Sequence, residues 1–202
     1  MGESGFSKRP DQLVISARYI WHRVMTELSS EAKRLYLSYF WWILEPCLMI
    51  GVFYIIFGMV FERGGEGFVS FLILGVTAWL WFAHTVAKST LSIRSQQGLM
   101  RQVHVAKYVF PFSAVLFGLF KHFFVLIVLI SLLVYLNEPS ITWFFYILIF
   151  LVQLLFITAV STVIAAVVPF VPDLSKIVPP MLQMTMFLSG VFYPQSMIPA
   201  QY

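Results

Sequence analysis

The 202-residue chain carries a net charge of +4, is 60% hydrophobic and only 11% charged, and contains a single cysteine. This composition leaves too little polar surface for a water-soluble globule, and one cysteine excludes an intrachain disulfide. The sequence therefore indicates an all-α polytopic membrane protein, and its modest positive charge predicts orientation in the membrane rather than a nucleic-acid partner.

The first 36 residues are polar and basic, and we expect a cytoplasmic segment (1–36) ahead of a transmembrane domain (37–202). Residues 11–28 place Trp21 beside an apolar helical stripe formed by Leu13, Ala17, Ile20, Val24 and Leu28. This pattern predicts an amphipathic helix in the headgroup plane of the membrane. The alternative is an amphipathic helix packed on other protein. We expect Ser29 or Ser30 to cap a new helix after it.

Five apolar runs follow, and a helix of about 20 such residues crosses a bilayer. The fifth run is shorter and contains Pro179 and Pro180, so it spans only marginally or is broken. The predicted spans cover about 40–61, 68–87, 111–136, 142–168 and 177–193.

Basic residues distinguish the two sides of the membrane. Six lysines and arginines precede the first span and four lie around the connection between the second and third spans, whereas the opposite side holds only Arg63. By the positive-inside rule, the amino terminus is cytoplasmic, and five spans would leave Tyr202 outside.

Glu45 and Pro46 interrupt the first span. A carboxylate in a membrane is costly unless it is paired or hydrated, so Glu45 is a functional candidate. The alternative is that Glu45 snorkels to the interface or pairs structurally with a basic residue, and Arg94, Arg101 and Lys121 remain open as partners. Pro46 is expected to kink the helix. Lys121, like the neighbouring His122, should face protein or a water-filled path rather than lipid.

The second cytoplasmic connection, residues 88–110, is too polar to insert into the membrane. Its apolar residues alternate with arginine, glutamine and histidine, which predicts a short helix broken near Gly98. An element of this size offers a surface to a soluble partner. The alternative is a simple interfacial linker.

The sequence lacks the motifs of the common catalytic and metal sites. It has no G-x-x-x-x-G-K-[ST] phosphate loop, no H-E-x-x-H pair and no G-x-S-x-G elbow, and its four histidines are scattered. We therefore expect no catalytic residue, no bound metal and no cofactor on this chain. Transport against a gradient would need energy from another chain or from an ion.

Three stretches carry a family resemblance: "LSYFWWILEP", "SQQGLMRQVHVAKYVFP" and "VPDLSKIVPPMLQMTMFLSGVFYPQSMIPAQY". They resemble the membrane subunits of type 2 ABC exporters, most of all the permeases that export capsular polysaccharide, O-antigen or teichoic acid. The resemblance implies six spans per subunit, an amino-terminal amphipathic helix, and a homodimer bound to two separate ATP-binding subunits that hold ATP and magnesium. It also implies a chain truncated at its carboxyl end, because Tyr202 precedes the expected sixth span.

By this resemblance, residues 94–105 form the coupling helix that docks into the ATPase, with a second contact near the start of the fifth span. The expected coupling residues are Arg94, Gln97, Leu99, Arg101, His104, Asp173 and Lys176. Sugars pack their C–H faces on aromatic rings. The candidates for a substrate path are Trp42, Glu45, Trp79, Trp81, Phe187 and Tyr193. The alternative for the aromatic residues is ordinary placement at a membrane interface.

The sequence thus predicts an ATP-driven export permease for a lipid-linked polysaccharide in the cytoplasmic (inner) membrane. One alternative is a type 2 exporter of drugs, haem or lipids with the same architecture. Another is an integral membrane acyltransferase, which predicts a clustered histidine or aspartate pair that the sequence does not contain.

Overall fold

The computed structural model describes residues 9–34, 38–60, 68–102, 105–135 and 143–191, and these ranges contain helices and turns but no strand. The chain order is α1 (Arg9–Arg34), α2 (Ser38–Phe53) with a π-helical continuation (Tyr54–Val60), α3 (Phe68–Thr90), a 3-10 turn (Arg94–Gln96), α4 (Gln97–Gln102), α5 (Val109–Tyr135), α6 (Trp143–Val167) and α7 (Leu174–Leu188).

Four helical stretches of the described chain are long and apolar enough to cross a membrane: Phe40–Met59, Phe68–Gln102, Val109–Ser131 and Phe145–Val167. They overlap the first four predicted spans. The chain is thus an all-α polytopic membrane protein, as the sequence predicts.

The predicted fifth span, 177–193, overlaps α7. This helix has 15 residues and continues through Pro179 and Pro180 rather than breaking there. Residues 192–202 lie outside the described part of the chain, so the fifth span stays a prediction.

The central helix is α3, which packs on α2, α5, α6 and α7. Half of the residues in its most apolar stretch are buried, compared with 11% of the residues in the corresponding stretch of α6. Its buried Leu72 and Val76 belong to one cluster with Phe53 and Met186. Because lipid tails are as apolar as leucine, this packing holds the helices together mainly through close contact.

Helices α3 and α5 pack tightly where Thr85 meets Gly118. A Cβ atom built on Gly118 would overlap Thr85 Oγ1. Small residues at such crossings allow two membrane helices to approach closely. Gly118 therefore fixes the distance between the two helices.

Helix α1 is longer than the sequence predicts. It runs unbroken to Arg34, so the expected cap at Ser29 or Ser30 is wrong, and Ser30 Oγ instead donates a hydrogen bond to the Glu27 carbonyl at 2.9 Å. On its apolar stripe, Val24 is fully buried, and Trp21 meets the Phe120 ring of α5 edge-on at 5.8 Å. The stripe faces protein here, and the headgroup-plane orientation of α1 stays a prediction.

Candidate functional site

Helices α1, α2, α3 and α5 line a half-open cavity of about 500 Å³, which we call the polar cavity. Its polar and aromatic lining comes from all four helices and comprises Glu31, Trp42, Glu45, Thr77, Trp81, His84, Thr85, Lys88, Phe117, Lys121 and His122. Ionisable side chains are rare inside membrane proteins and collect where function or pairing requires them. The polar cavity is therefore a candidate functional site.

Glu31 and Lys121 form the shortest ion pair of the described residues, with 2.8 Å between Lys121 Nζ and Glu31 Oε1. The Trp42 indole N–H also donates to Glu31 Oε1, at 3.3 Å. Lys121 Nζ lies 5.0 Å from the centroid of the Trp42 ring, within the range of a cation–π contact. One carboxylate of α1 thus joins α2 and α5.

Glu27 makes the corresponding contact between α1 and α3. Its carboxylate lies 3.1 Å from Lys88 Nζ and 3.5 Å from Arg23 Nε. Lys88 Nζ also lies over the Phe117 ring, 3.2 Å from the centroid. Because Glu27 and Glu31 are four residues apart, they share one face of α1. That face anchors the helix to the bundle.

Glu45 pairs with His84, a partner that was not among the open alternatives Arg94, Arg101 and Lys121. His84 Nε2 lies 3.3 Å from Glu45 Oε1. Arg94 and Arg101 lie beyond the end of α3 and are exposed, whereas Lys121 is engaged by Glu31. The pairing follows from the packing of α2 on α3, which a single sequence does not specify.

The expectation that Lys121 and His122 face protein is confirmed. Lys121 points to Glu31, and His122 is buried, with its ring stacked on Trp81 at a centroid distance of 4.3 Å. Phe150 of α6 also stacks on Trp81, at 4.9 Å. The stacked rings of Trp81 and His122 therefore line one side of the polar cavity.

The structure brings together three of the six residues predicted for a substrate path. Trp42, Glu45 and Trp81 line the polar cavity. Trp79 instead lines an apolar groove of about 600 Å³ between α3, α6 and α7. Phe187 is half-exposed on α7, and Tyr193 lies outside the described residues.

Sequence reasoning missed Glu31, His84 and Lys88 as members of the polar cavity. Glu31 lies after the predicted amphipathic region, residues 11–28, and it shares a face with Glu27 only because α1 continues to Arg34. His84 and Lys88 are likewise four residues apart on α3. No sequence signal indicated that these two faces would meet.

The second candidate site is the connection after α3. The 3-10 turn Arg94–Gln96 is followed directly by the α-helix α4, which begins at Gln97. The change of helix type therefore lies one residue before Gly98, near the break that the sequence predicts. The side chains of Arg94, Gln97 and Arg101 are exposed.

Leu99 points the other way. With Met100 and Tyr19 of α1, it packs against a buried cluster of Ile93, Phe110 and Ala165. The apolar side of the connection therefore packs on the helices of this chain, and the polar side is exposed.

Beside α4, a groove of about 660 Å³ lies against the end of α6 and the residues that follow it. We call it the connection groove; it is lined by Ile93, Gln97, Met100, Arg101, Lys107, Tyr108, Pro111, Thr162, Ala166, Pro169 and Phe170. Phe170 is 85% exposed. Asp173 and Lys176 are exposed at the start of α7. His104 lies outside the described residues.

The described residues contain no group of three or more histidine, cysteine, aspartate or glutamate side chains that could hold a metal ion. Within the polar cavity, Glu31 is paired with Lys121 and Glu45 with His84. Together with the apolar helices, this arrangement is that of a polytopic membrane protein with a polar cavity between its helices.

Comparison with known proteins specifies the family. Residues 21–202 match the ABC-2 type transporter family. The chain belongs to this family.

The curated relatives are permeases. The chain is 27% identical over 178 residues to the O-antigen export system permease protein RfbA of Klebsiella pneumoniae, a match that covers 87% of this chain and 69% of the relative. It is 27% identical over 176 residues to the protein of the same name from Myxococcus xanthus, covering 87% of this chain and 68% of the relative.

Proposed function

We propose that this chain is the transmembrane subunit of an ATP-driven exporter that moves a lipid-linked polysaccharide across the cytoplasmic (inner) membrane, with its amino terminus in the cytoplasm. The observation that carries the proposal is the match of 87% of the chain to relatives named O-antigen export permeases. A type 2 exporter of drugs, haem or lipids is not favoured, because neither relative is named for such a cargo.

A separate ATP-binding subunit would supply the energy, because the chain has no phosphate loop of its own. We propose that this subunit docks on the exposed side of the connection, where Arg94, Gln97 and Arg101 are free to contact it. The connection groove would accept apolar side chains of the partner beside Phe170. Asp173 and Lys176 would add a smaller contact.

Leu99 has a different role in this proposal. Since it packs on the cluster that includes Tyr19, Phe110 and Ala165, a push on α4 would reach α1, α5 and α6 through apolar contacts. Leu99 would transmit force from the partner and would not bind the partner directly.

We propose that two copies of the permease assemble around the glycan path. The polar cavity of one copy, about 500 Å³, is lined by four helices, and a polymer needs a longer passage than this. Trp42 and Trp81 are buried within one copy, so they would support the path rather than line it. Trp79 and Phe187 remain candidates for direct contact with sugar rings.

Deletion of the gene in the source organism tests the exported cargo. We expect surface polysaccharide to be lost and the lipid-linked glycan to accumulate at the cytoplasmic membrane, with both restored by the wild-type gene. Unchanged surface polysaccharide in the deletion strain would contradict the assignment and favour a different cargo.

A further inference from the structure

The polar cavity has a balanced charge. Two carboxylates, Glu31 and Glu45, and two ammonium groups, Lys88 and Lys121, line it. Because Lys121 is already paired with Glu31 and Lys88 with Glu27, neither sign of charge is in excess, and a simple anion or a simple cation finds no unmatched partner here. A ligand that carries separated positive and negative groups complements both pairs.

An apolar groove on α2 meets the polar cavity at Glu45. It measures about 440 Å³ and is lined by Trp41, Leu48, Met49 and Val52 together with Glu45. These positions recur on one face of the helix. A ligand whose polar part lies in the cavity can therefore extend an apolar chain along α2.

Two buried polar atoms at the cavity lack a hydrogen-bond partner. They are Trp81 Nε1 and Thr85 Oγ1, and both residues line the cavity. The indole N–H can only donate, so it requires an acceptor oxygen. Phosphate and ester oxygens of a ligand would supply such acceptors.

Glu45 stands at the junction of the cavity and the groove. Its side chain is 51% exposed, and that of its partner His84 is 53% exposed. A half-exposed carboxylate at membrane depth accepts strong hydrogen bonds from an ammonium group that carries N–H donors. A quaternary ammonium has no such donors.

We propose that the polar cavity and the α2 groove together bind one zwitterionic phospholipid with a primary amine, of the phosphatidylethanolamine class. Its ammonium group donates to Glu45, its phosphate oxygens lie toward Lys88 and Lys121, and one acyl chain follows Leu48 and Val52. This lipid site is independent of the exported glycan and goes beyond the proposed function.

Native mass spectrometry of the full-length protein in detergent tests the proposal directly. The protein is incubated with equal amounts of phosphatidylethanolamine, phosphatidylcholine and phosphatidylglycerol that carry identical acyl chains. We expect retained phosphatidylethanolamine to exceed each of the others by about tenfold, since only this headgroup donates charged hydrogen bonds to Glu45.

Glu45→Gln keeps the size of the side chain and removes its charge, so it should abolish the preference among headgroups. Asp173→Asn is the matched control, because Asp173 is an exposed carboxylate outside the cavity, and it should retain the wild-type preference. Leu48→Trp fills the groove without changing charge and should lower retention of phosphatidylethanolamine.

The headgroup preference of the wild-type protein is by itself sufficient to overturn the proposal. Equal retention of the three lipids, or a preference for phosphatidylglycerol, would show that the cavity does not select a primary amine. A ligand rich in hydroxyl groups, such as a glycan, would then be the better candidate for the cavity. Full preference in Glu45→Gln would also overturn it.

Discussion

Lys121 Nζ lies 2.8 Å from Glu31 Oε1, although the two residues are 90 positions apart in the chain. The pair joins the amphipathic helix α1 to the third long apolar helix, α5. About a third of each side chain is exposed, so the pair is partly hydrated. It is one of the contacts that hold the amphipathic helix α1 against the other helices.

Loss of one partner of this pair should cost more than loss of both. We expect Lys121→Met alone, or Glu31→Gln alone, to lower the free energy of unfolding by about 1–3 kcal/mol, because each leaves an unmatched charge. The double variant should recover part of that loss. A double-mutant cycle from unfolding in mixed detergent micelles measures the coupling, and strictly additive single effects would contradict a direct interaction.

The crossing of α3 and α5 gives a second prediction. Gly118→Ala should lower the free energy of unfolding by about 1–3 kcal/mol, because the new methyl group overlaps Thr85 Oγ1. Gly51→Ala is the matched control, since nothing lies within 4 Å of the corresponding Cβ position.

Thr85→Ala combined with Gly118→Ala should restore stability toward the wild-type value, since the overlapping hydroxyl group is gone. Thermal unfolding followed by tryptophan fluorescence checks all three proteins. Equal behaviour of Gly118→Ala and Gly51→Ala would show that the crossing tolerates wider spacing.

Leu99 provides a prediction that separates folding from docking. Because Leu99 packs on the permease's own cluster, Leu99→Asp should reduce the yield of monodisperse protein and lower its stability by about 2–4 kcal/mol. Size-exclusion chromatography and thermal unfolding of the permease alone measure this effect. Wild-type stability in Leu99→Asp would instead place this side chain at the partner's surface.

Hydrophobicity and charge were sufficient to predict the class of the fold. Runs of apolar residues such as 68–87 and 111–136 are so long that only a membrane helix accommodates them. The connection after α3 was also predictable, because arginine and glutamine at 94–102 cannot be buried in lipid. In both cases the determining signal lies within one segment.

The pairing of polar residues was not predictable, because it depends on the rotation and depth of neighbouring helices. Glu45 could have met several basic groups, and the packing of α2 on α3 selects His84. The continuation of α1 past Ser29 and Ser30 has a similar cause. Glu27 and Glu31 are held by Lys88 and Lys121 on other helices, and these tertiary contacts favour a continuous helix over a local cap.

We propose that the exposed side of the connection couples this permease to an ATP-binding subunit. The most direct test is co-purification of that subunit with full-length permease that carries Arg101→Glu, compared with Arg18→Glu as the control. Both arginines are exposed, and Arg18 lies on α1 rather than in the connection.

Charge reversal at Arg101 should lower the recovered ATPase subunit by about tenfold, since like charges then face each other in the interface. The permease should remain folded, and Arg18→Glu should retain wild-type recovery. Undiminished recovery with Arg101→Glu, or failure of the wild-type permease to bind any ATP-binding subunit, would contradict the account.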